Sequence, residues 1–354
     1  MEFWMVLTAH PRLRPLAVPL AAQLDAVRAA VDEGRLRQHV ERLDAPRSRR
    51  HAPDGLARAE TYVVRELEQA GWLVERRPFP LPGRTTPGVN LLARPPATAR
   101  PPAVPASTVL LGAHLDTVFG SPGADDNASG VACLLELARL LPSHGLAAPV
   151  RLAVFDEEET GLHGSRALAA ELTGTDRIEV DGTDAEAVGA ERPAAVVVFE
   201  CVGYYSREPR SQTLPPGASL VFPGQRRRAG RRGWRGDWTL VAYRRSSRPL
   251  ARLIGECLTH LAGSGTAILA RDPLDIPVVG PLLRRYVPAT RHFARSDHQP
   301  FWAVGVPAVQ LTDTADFRNP HYHRPSDTPE TLDYRRMADI VAATAVATSP
   351  LAHP

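Results

Sequence analysis

The chain has 354 residues, of which 44% are hydrophobic and 23% are charged, and its formal net charge at pH 7 is +3. A chain of this length can bury a large core, so we expect one large domain rather than several small ones. The composition is typical of a soluble globular protein, and no run of about 18 apolar residues occurs, so we expect no membrane span.

Cysteine usage and charge bear on compartment and partners. Cys133, Cys201 and Cys257 lie far apart in apolar runs, which indicates buried free thiols and a reducing compartment. The first residues show no charged segment followed by a continuous apolar stretch, so we expect a cytoplasmic protein. Most of the basic excess lies in residues 226–235, which we interpret as an exposed, solvated loop. A nucleic-acid surface is the alternative, but no aromatic platform or recognition helix accompanies this stretch, and we expect no nucleic-acid partner.

The first predicted elements are helices. Residues 18–43 have the apolar spacing of one or two helices, and residues 56–70 form an amphipathic helix that Gly71 ends. Strand-like segments follow, several of them continuous apolar runs of the kind found in strands buried on both faces. These segments are residues 72–79, 89–93, 108–113, 150–155, 194–199, 238–243 and 308–311.

Helical patterns lie between the predicted strands, at residues 129–141, 164–172, 250–261 and 333–348. This alternation predicts an α/β fold, a three-layer α/β/α sandwich with a mixed, mostly parallel central sheet. The Pro-rich residues 95–105 are predicted to form a surface loop.

Polar side chains follow three of the predicted strands. His114 and Asp116 come after the strand at 108–113, Glu158 and Glu159 after the strand at 150–155, and Glu200 after the strand at 194–199. Ligands gather at the carboxyl ends of strands in open α/β sheets. We therefore expect these three clusters to meet in one cleft.

Two imidazoles and three carboxylates form a candidate ligand set for zinc, namely His114, Asp126, Glu159, Glu200 and His323. If one carboxylate bridges, each of two metals receives one histidine, one terminal carboxylate and one shared oxygen. Two Zn²⁺, three carboxylates and a bridging hydroxide sum to zero charge, so such a centre can be buried. Co²⁺ or Mn²⁺ would suit the same ligand types.

The carboxylate of Glu158, adjacent to a candidate ligand, is left over to act as a general base. Asp116 could accept the ring N–H of His114 and fix its tautomer. Each signal also has an ordinary explanation, because acidic runs are often solvated and residues 125–130 have the composition of a helix cap. The joint occurrence of all five candidate ligands favours the metal site.

Five segments carry a resemblance to a known family: LGAHLDTV (111–118), GADDNASG (123–130), DEEETGLHGS (156–165), SDHQPFW (296–302) and HYHRPSDTPETLD (321–333). Together they resemble the dizinc aminopeptidase family of zinc exopeptidases, whose fold is shared by glutamate carboxypeptidase II and the glutaminyl cyclases. The resemblance begins near residue 50 and runs to the C-terminus. It implies a zinc-exopeptidase catalytic domain over residues 50–354, with residues 1–49 as an N-terminal helical extension.

The resemblance also implies roles for single residues. His114 binds one zinc, Asp126 bridges both, and Glu159 and His323 bind the second. Glu158 is the general base.

The resemblance is less direct at three positions. Tyr322 matches a position where some members use a tyrosine hydroxyl to steady the tetrahedral intermediate, whereas His321 falls outside the pattern. The family commonly has aspartate where this chain has Glu200, although FECVGYYS (199–206) resembles a subgroup with glutamate there.

We therefore expect an exopeptidase, and specifically an aminopeptidase that hydrolyses the N-terminal peptide bond of a peptide or aminoacyl substrate. A water bound by two zinc ions would attack, with Glu158 as the base. One alternative is a glutaminyl-cyclase-like aminoacyltransferase with a single zinc, and another is a non-catalytic binding module of the same fold. The preferred side chain and the oligomeric state are left open.

Overall fold

The computed structural model describes residues 11–95, 108–146, 150–174, 192–277 and 280–349. In these ranges eight strands form one sheet. The strands are β1 (Leu73–Phe79), β2 (Gly88–Arg94), β3 (Val109–His114), β4 (Val150–Phe155), β5 (Ala195–Phe199), β6 (Thr239–Tyr243), β7 (Ala267–Arg271) and β8 (Ala308–Thr312).

The sheet has the strand order β1-β2-β4-β3-β5-β8-β6-β7. The pairs β3–β4, β3–β5, β5–β8 and β6–β7 are parallel, and the pairs β1–β2, β2–β4 and β6–β8 are antiparallel. The predicted mixed, mostly parallel sheet is confirmed. Strand β7 was not predicted, because its five residues directly follow a helix and a short glycine turn, so no separate period is visible.

Helices cover both faces of the sheet. They are α1 (Val18–Ala30), α2 (Glu33–Arg42), α3 (Pro53–Gln69), α4 (Gly130–Ser143), α5 (His163–Thr173), α6 (Ala218–Val221), α7 (Pro223–Arg231), α8 (Arg248–Ala262), α9 (Gly280–Tyr286), α10 (His298–Ala303) and α11 (Tyr334–Ala347). Helices α1–α4, α8 and α11 share one core with the sheet, and α5 and α10 share a second core on the other face. This arrangement is the predicted three-layer sandwich.

The first residues described are integral to the larger core. Leu24 of α1 and Leu36 of α2 are fully buried in the same cluster as Ile340 of α11. After α2, the side chain of Arg47 is buried and donates hydrogen bonds to the backbone carbonyls of Leu115, Pro122 and Gly123. The boundary at residue 49 stays a prediction.

The Arg-rich stretch does not form the predicted solvated loop, and that interpretation was wrong. Residues Pro223–Arg231 form helix α7, which buries Gln225 and Ala229, four residues apart, and exposes Arg226 and Arg227. The helix begins with a proline, which suits the first helical position because its missing N–H would have no partner there. A helix with so narrow a buried face leaves little apolar periodicity in the sequence.

The three cysteines are free and buried, as predicted. In the ranges described, no helix is both long enough and apolar enough to cross a membrane. Apart from Pro95, the predicted Pro-rich loop lies outside the described residues.

Candidate metal centre

The carboxyl ends of three neighbouring parallel strands bring the first side chains of the centre together. His114 is the last residue of β3, Glu158 follows β4 after a short turn, and Glu200 comes directly after β5. One ligand atom from each of these residues lies within 4.8 Å of the other two. The same spacing holds for a second group of three residues, Asp126, Glu159 and His323.

Asp126 lies between the two histidines. Its Oδ1 is 3.2 Å from Nε2 of His114, and its Oδ2 is 2.9 Å from Nε2 of His323. A second carboxylate approaches each imidazole, Glu200 Oε1 at 3.4 Å from His114 Nε2 and Glu159 Oε2 at 3.5 Å from His323 Nε2. The structure thus brings the five predicted ligands together, with the two oxygens of one aspartate facing different imidazoles.

These residues fit divalent cations. Both carboxylate oxygens of Asp126 and one oxygen of Glu159 are buried, and among the described residues no group donates a hydrogen bond to them with acceptable geometry. Buried carboxylate oxygens without donors are costly unless a cation compensates their charge. Imidazole and carboxylate together are the ligand types of zinc sites, and they also suit cobalt and manganese.

The protonation tendencies of the cluster reflect the same excess of negative charge. Burial raises the pKa of Glu158 well above its ordinary value, and the charges of Glu200 and Asp297 add to this. Burial and the charge of Asp126 raise the pKa of Glu159 well above its ordinary value. Burial disfavours the charged His114 ring, but the neighbouring carboxylates outweigh burial and raise its pKa. Divalent cations would supply the positive charge that favours ionised carboxylates.

Asp116 has a different contact from the one expected. Its carboxylate accepts the backbone N–H of Glu158 at 3.0 Å and the backbone N–H of Glu159 at 3.1 Å. Nδ1 of His114 lies 3.1 Å from the backbone carbonyl of Asp116 and 3.6 Å from its carboxylate, so the carbonyl rather than the carboxylate accepts the ring N–H. With Nδ1 donating to this carbonyl, Nε2, which faces Asp126, would be the nitrogen that coordinates a cation.

Asp327, which was not among the predicted site residues, holds a second backbone segment in the same way. Its two carboxylate oxygens accept the N–H groups of Asp125 at 2.9 Å and Asp126 at 3.2 Å. The local capping contact expected in this segment is made by Asn127, whose Oδ1 accepts the N–H of Gly130 at 3.2 Å. The carboxylate of Asp126 therefore remains directed at the histidines.

Glu200 stands where the family commonly has aspartate, and a serine fixes its longer side chain. Ser296 Oγ donates a hydrogen bond to Glu200 Oε2 at 2.8 Å, while the other oxygen faces His114. No sequence pattern pointed to Ser296 as a partner of Glu200. Cys201 lies beside these groups, and burial raises the pKa of its thiol well above the ordinary value, so it stays neutral.

The two histidines of the segment 321–323 have different surroundings. The ring of Tyr322 stacks on His323 with 3.8 Å between the ring centroids. Burial and the charge of Asp126 raise the pKa of Tyr322, so its hydroxyl keeps its proton. Nδ1 of His321 lies 3.0 Å from Ser326 Oγ, and this ring packs edge-on against Tyr204 rather than among the cluster residues.

The cluster lies at one end of a cavity of about 470 Å³. Asp126, Glu158, Glu159, Glu200 and His323 line this end, and Arg295 and Asp316 lie near it. Beyond them the lining is mostly apolar and is formed by β6, β7 and the helices α6 and α7. The cluster is therefore open to a ligand with an apolar part.

A three-layer sandwich with histidines and carboxylates gathered at the carboxyl ends of its parallel strands is an arrangement that can hold divalent cations. The model of peptidase family M28 matches residues 90–233 and 278–348, which is more than half of the chain. The chain belongs to this family.

The chain is also similar to individual known proteins. The chain is 30% identical over 298 residues to the uncharacterized protein YfbL of Escherichia coli (strain K12), a match that covers 81% of this chain and 78% of YfbL. The crystal structure of the Legionella pneumophila LapA aminopeptidase is similar with a TM-score of 0.60 and 16% identity, covering 96% of this chain and 74% of that one. The Tannerella forsythia glutaminyl cyclase has a TM-score of 0.56 and 18% identity, covering 90% and 98%. At these identities the two structures show a shared fold.

Proposed function

We propose that this protein is an aminopeptidase that works with two divalent cations, zinc by preference, and hydrolyses the N-terminal peptide bond of peptide or aminoacyl substrates. The observation that carries the proposal is the position of Asp126, whose two oxygens lie 3.2 Å and 2.9 Å from the nitrogens of two different histidines. A carboxylate placed in this way could bridge two neighbouring cations.

The proposed ligands divide into two sets. His114, Glu200 and one oxygen of Asp126 would hold the first ion. His323, Glu159 and the other oxygen of Asp126 would hold the second. When bound, such a pair supplies Lewis-acid activation of both the peptide carbonyl and the attacking water.

Glu158 is proposed to move the protons. Its carboxylate lies with His114 and Glu200 at the cavity wall, and Asp116 holds its backbone in place. In the proposed reaction, a carboxylate oxygen of Glu158 takes a proton from the attacking water and returns it to the nitrogen of the leaving amine. The protonated hydroxyl of Tyr322, which lines the same cavity, would donate a hydrogen bond to the developing oxyanion.

The fold alone does not separate hydrolysis from aminoacyl transfer, since it is shared with an aminopeptidase and with a glutaminyl cyclase. Each of the two histidines has Asp126 and a second carboxylate within 3.5 Å, which favours the hydrolase, because a transferase with one zinc requires only one such set. Competent side chains at every ligand position also favour an enzyme over a non-catalytic binding module.

The test combines metal content with hydrolysis. We expect two zinc ions per chain by mass spectrometry, and hydrolysis of leucine p-nitroanilide but not of its N-acetyl derivative. Glu158→Gln should retain both ions and lose kcat by about 10²–10⁴-fold, the range of a lost general base. Glu171→Gln, on the exposed surface of α5, is the matched control. One ion per chain with cyclisation of glutaminyl substrates, or full turnover by Glu158→Gln, would overturn the proposal.

A further inference from the structure

The cavity extends well beyond the metal centre. From the cluster it passes over Gln310 of β8 and reaches Ala242 of β6 and Ala270 of β7. Since β8, β6 and β7 are consecutive in the sheet, the floor crosses two strand spacings, or about 10 Å. The far part of the floor lies in residues 234–277, outside the segments that match the family model.

The floor and the roof of this extension are both apolar. Leu240 and Ile268 accompany the two alanines on the floor, because alternate residues of β6 and β7 face the same side of the sheet. Above them lie helices α6 and α7, which contribute the small side chains of Ala218 and Ala229, and Phe222, which lies between the two helices. The Arg-rich helix α7 is therefore the roof of the cavity, with arginines on its outer side.

Small side chains keep the extension open. Ala242 is 1% exposed and Ala270 is 3% exposed, and Ala270 packs in one cluster with Ala218, Val221 and Phe222, so the far end of the cavity is narrow. A larger residue at either position would occupy this space. The volume of about 470 Å³ is also roughly three times the ~150 Å³ cavity that holds one benzene ring. If the scissile amide and the cations occupy half of this volume, the remaining half still exceeds the ~150 Å³ cavity that holds one benzene ring.

We infer, resting on the proposed function, that the preferred substrate carries an elongated apolar group, larger than a phenylalanine side chain, on its N-terminal residue. This group would lie between the face of β6 and β7 and the roof helix α7, with the scissile carbonyl at the metal centre. An indole side chain and a long alkyl chain share this chemistry, and substrates of both kinds distinguish them.

The first experiment measures kcat/KM for p-nitroanilides that keep the free α-amine and vary only the side chain. The linear series runs from alanine through norleucine and 2-aminooctanoic acid to 2-aminodecanoic acid, with phenylalanine and tryptophan as the aromatic arm. We expect kcat/KM to rise about fourfold per added methylene until the extension is filled. A maximum at alanine, or no dependence on chain length, would overturn the inference.

The second experiment blocks the extension. We expect Ala270→Leu and Ala242→Leu to lower the ratio of kcat/KM for the 2-aminodecanoyl substrate over the alanyl substrate at least tenfold. Ala22→Leu, an exposed position in α1, makes the same chemical change outside the cavity and should leave the ratio as it is. The melting temperatures of the two cavity variants, compared with that of the unsubstituted protein, separate a loss of folding from a loss of cavity space. An unchanged ratio in both cavity variants would contradict the inference.

Calorimetry separates a failure of this inference from a failure of the proposed function. If no anilide is hydrolysed, the proposed function fails, and binding of 2-aminodecanoic acid in preference to alanine, reduced by Ala270→Leu, would still support the long apolar site. Equal binding of the two amino acids would refute it. Hydrolysis of every anilide at similar rates would leave the proposed function standing and refute the elongated substrate.

Discussion

The side chain of Arg47 holds the backbone that leads to the candidate metal centre, and its contribution to stability can be tested. It is 1% exposed, and its guanidinium donates hydrogen bonds to five backbone carbonyls. The acceptors are the carbonyls of Leu43, Ala45, Leu115, Pro122 and Gly123. Burial lowers its pKa to about 10, so it stays charged at neutral pH. These contacts join the N-terminal segment to the chain that runs from His114 towards Asp126.

Replacing Arg47 tests these contacts directly. Arg47→Met offers no donor, so the carbonyl oxygens of Ala45, Leu115 and Pro122 lose the donor that Arg47 provides, and each such loss costs about 1–3 kcal/mol before relaxation and water entry. The carbonyls of Leu43 and Gly123 keep the backbone N–H groups of Ala45 and Ala128 as donors. We expect the free energy of unfolding to fall by about 4 kcal/mol, near the upper end for single substitutions. Arg47→Lys provides three donors for five acceptors, and we expect a loss of about 2 kcal/mol.

Urea unfolding followed by circular dichroism at neutral pH would measure both losses. Arg50→Met, at an exposed position three residues further along the chain, is the matched control and should change stability by less than about 0.5 kcal/mol. A loss below about 1 kcal/mol for Arg47→Met would refute the reasoning, because it would mean that these carbonyls find other donors at little cost.

Three further predictions concern the metal centre and pH. Ser296→Ala releases one oxygen of Glu200, so the affinity for one of two zinc ions should fall about 10–100-fold in a chelator-competition titration, and an unchanged affinity would contradict this. Zinc at a thousand times its Kd should stabilise the protein by about 4 kcal/mol, and Asp126→Asn should lose most of this gain; equal gains would count against a shared aspartate. Burial lowers the pKa of His39 from 6.5 to about 4, so the unfolded chain binds the extra proton and stability falls as pH drops through that window, by up to about 1.4 kcal/mol per unit. His39→Gln should reduce this slope in urea unfolding between pH 6.5 and 4, and an equal slope would show that another group causes it.

The elements that could be predicted from the sequence are those whose burial leaves a clear apolar pattern. Strands β3, β4 and β5 lie in the middle of the sheet, so both faces of each are buried and the apolar run is continuous. Helix α7 escaped prediction because it covers a cavity rather than a packed core, and only Gln225 and Ala229 mark its inner face. Strand β7 was not predicted because a short apolar run so soon after helix α8 shows no separate apolar pattern.

For the candidate metal centre, the residue types and their positions after strands indicated which side chains would meet. The sequence did not indicate the hydrogen bonds that orient these side chains. Asp116 is two residues from His114, which suggested a contact with the ring, but the fold places its carboxylate at the amides of Glu158 and Glu159. Ser296 reaches Glu200 from a distant part of the chain. Contacts of this kind depend on how loops after different strands are packed, and residue spacing does not encode that.

Two carboxylates outside the ligand set hold the backbone on which the ligands stand. Asp327 accepts the amides of Asp125 and Asp126, and Asp116 accepts those of Glu158 and Glu159. The course of both loops is therefore independent of the side chains at Asp126 and Glu158. Under the proposed function, Glu158→Gln would keep the shape of the cleft and would retain uncleaved peptides from a cell extract, which mass spectrometry could identify.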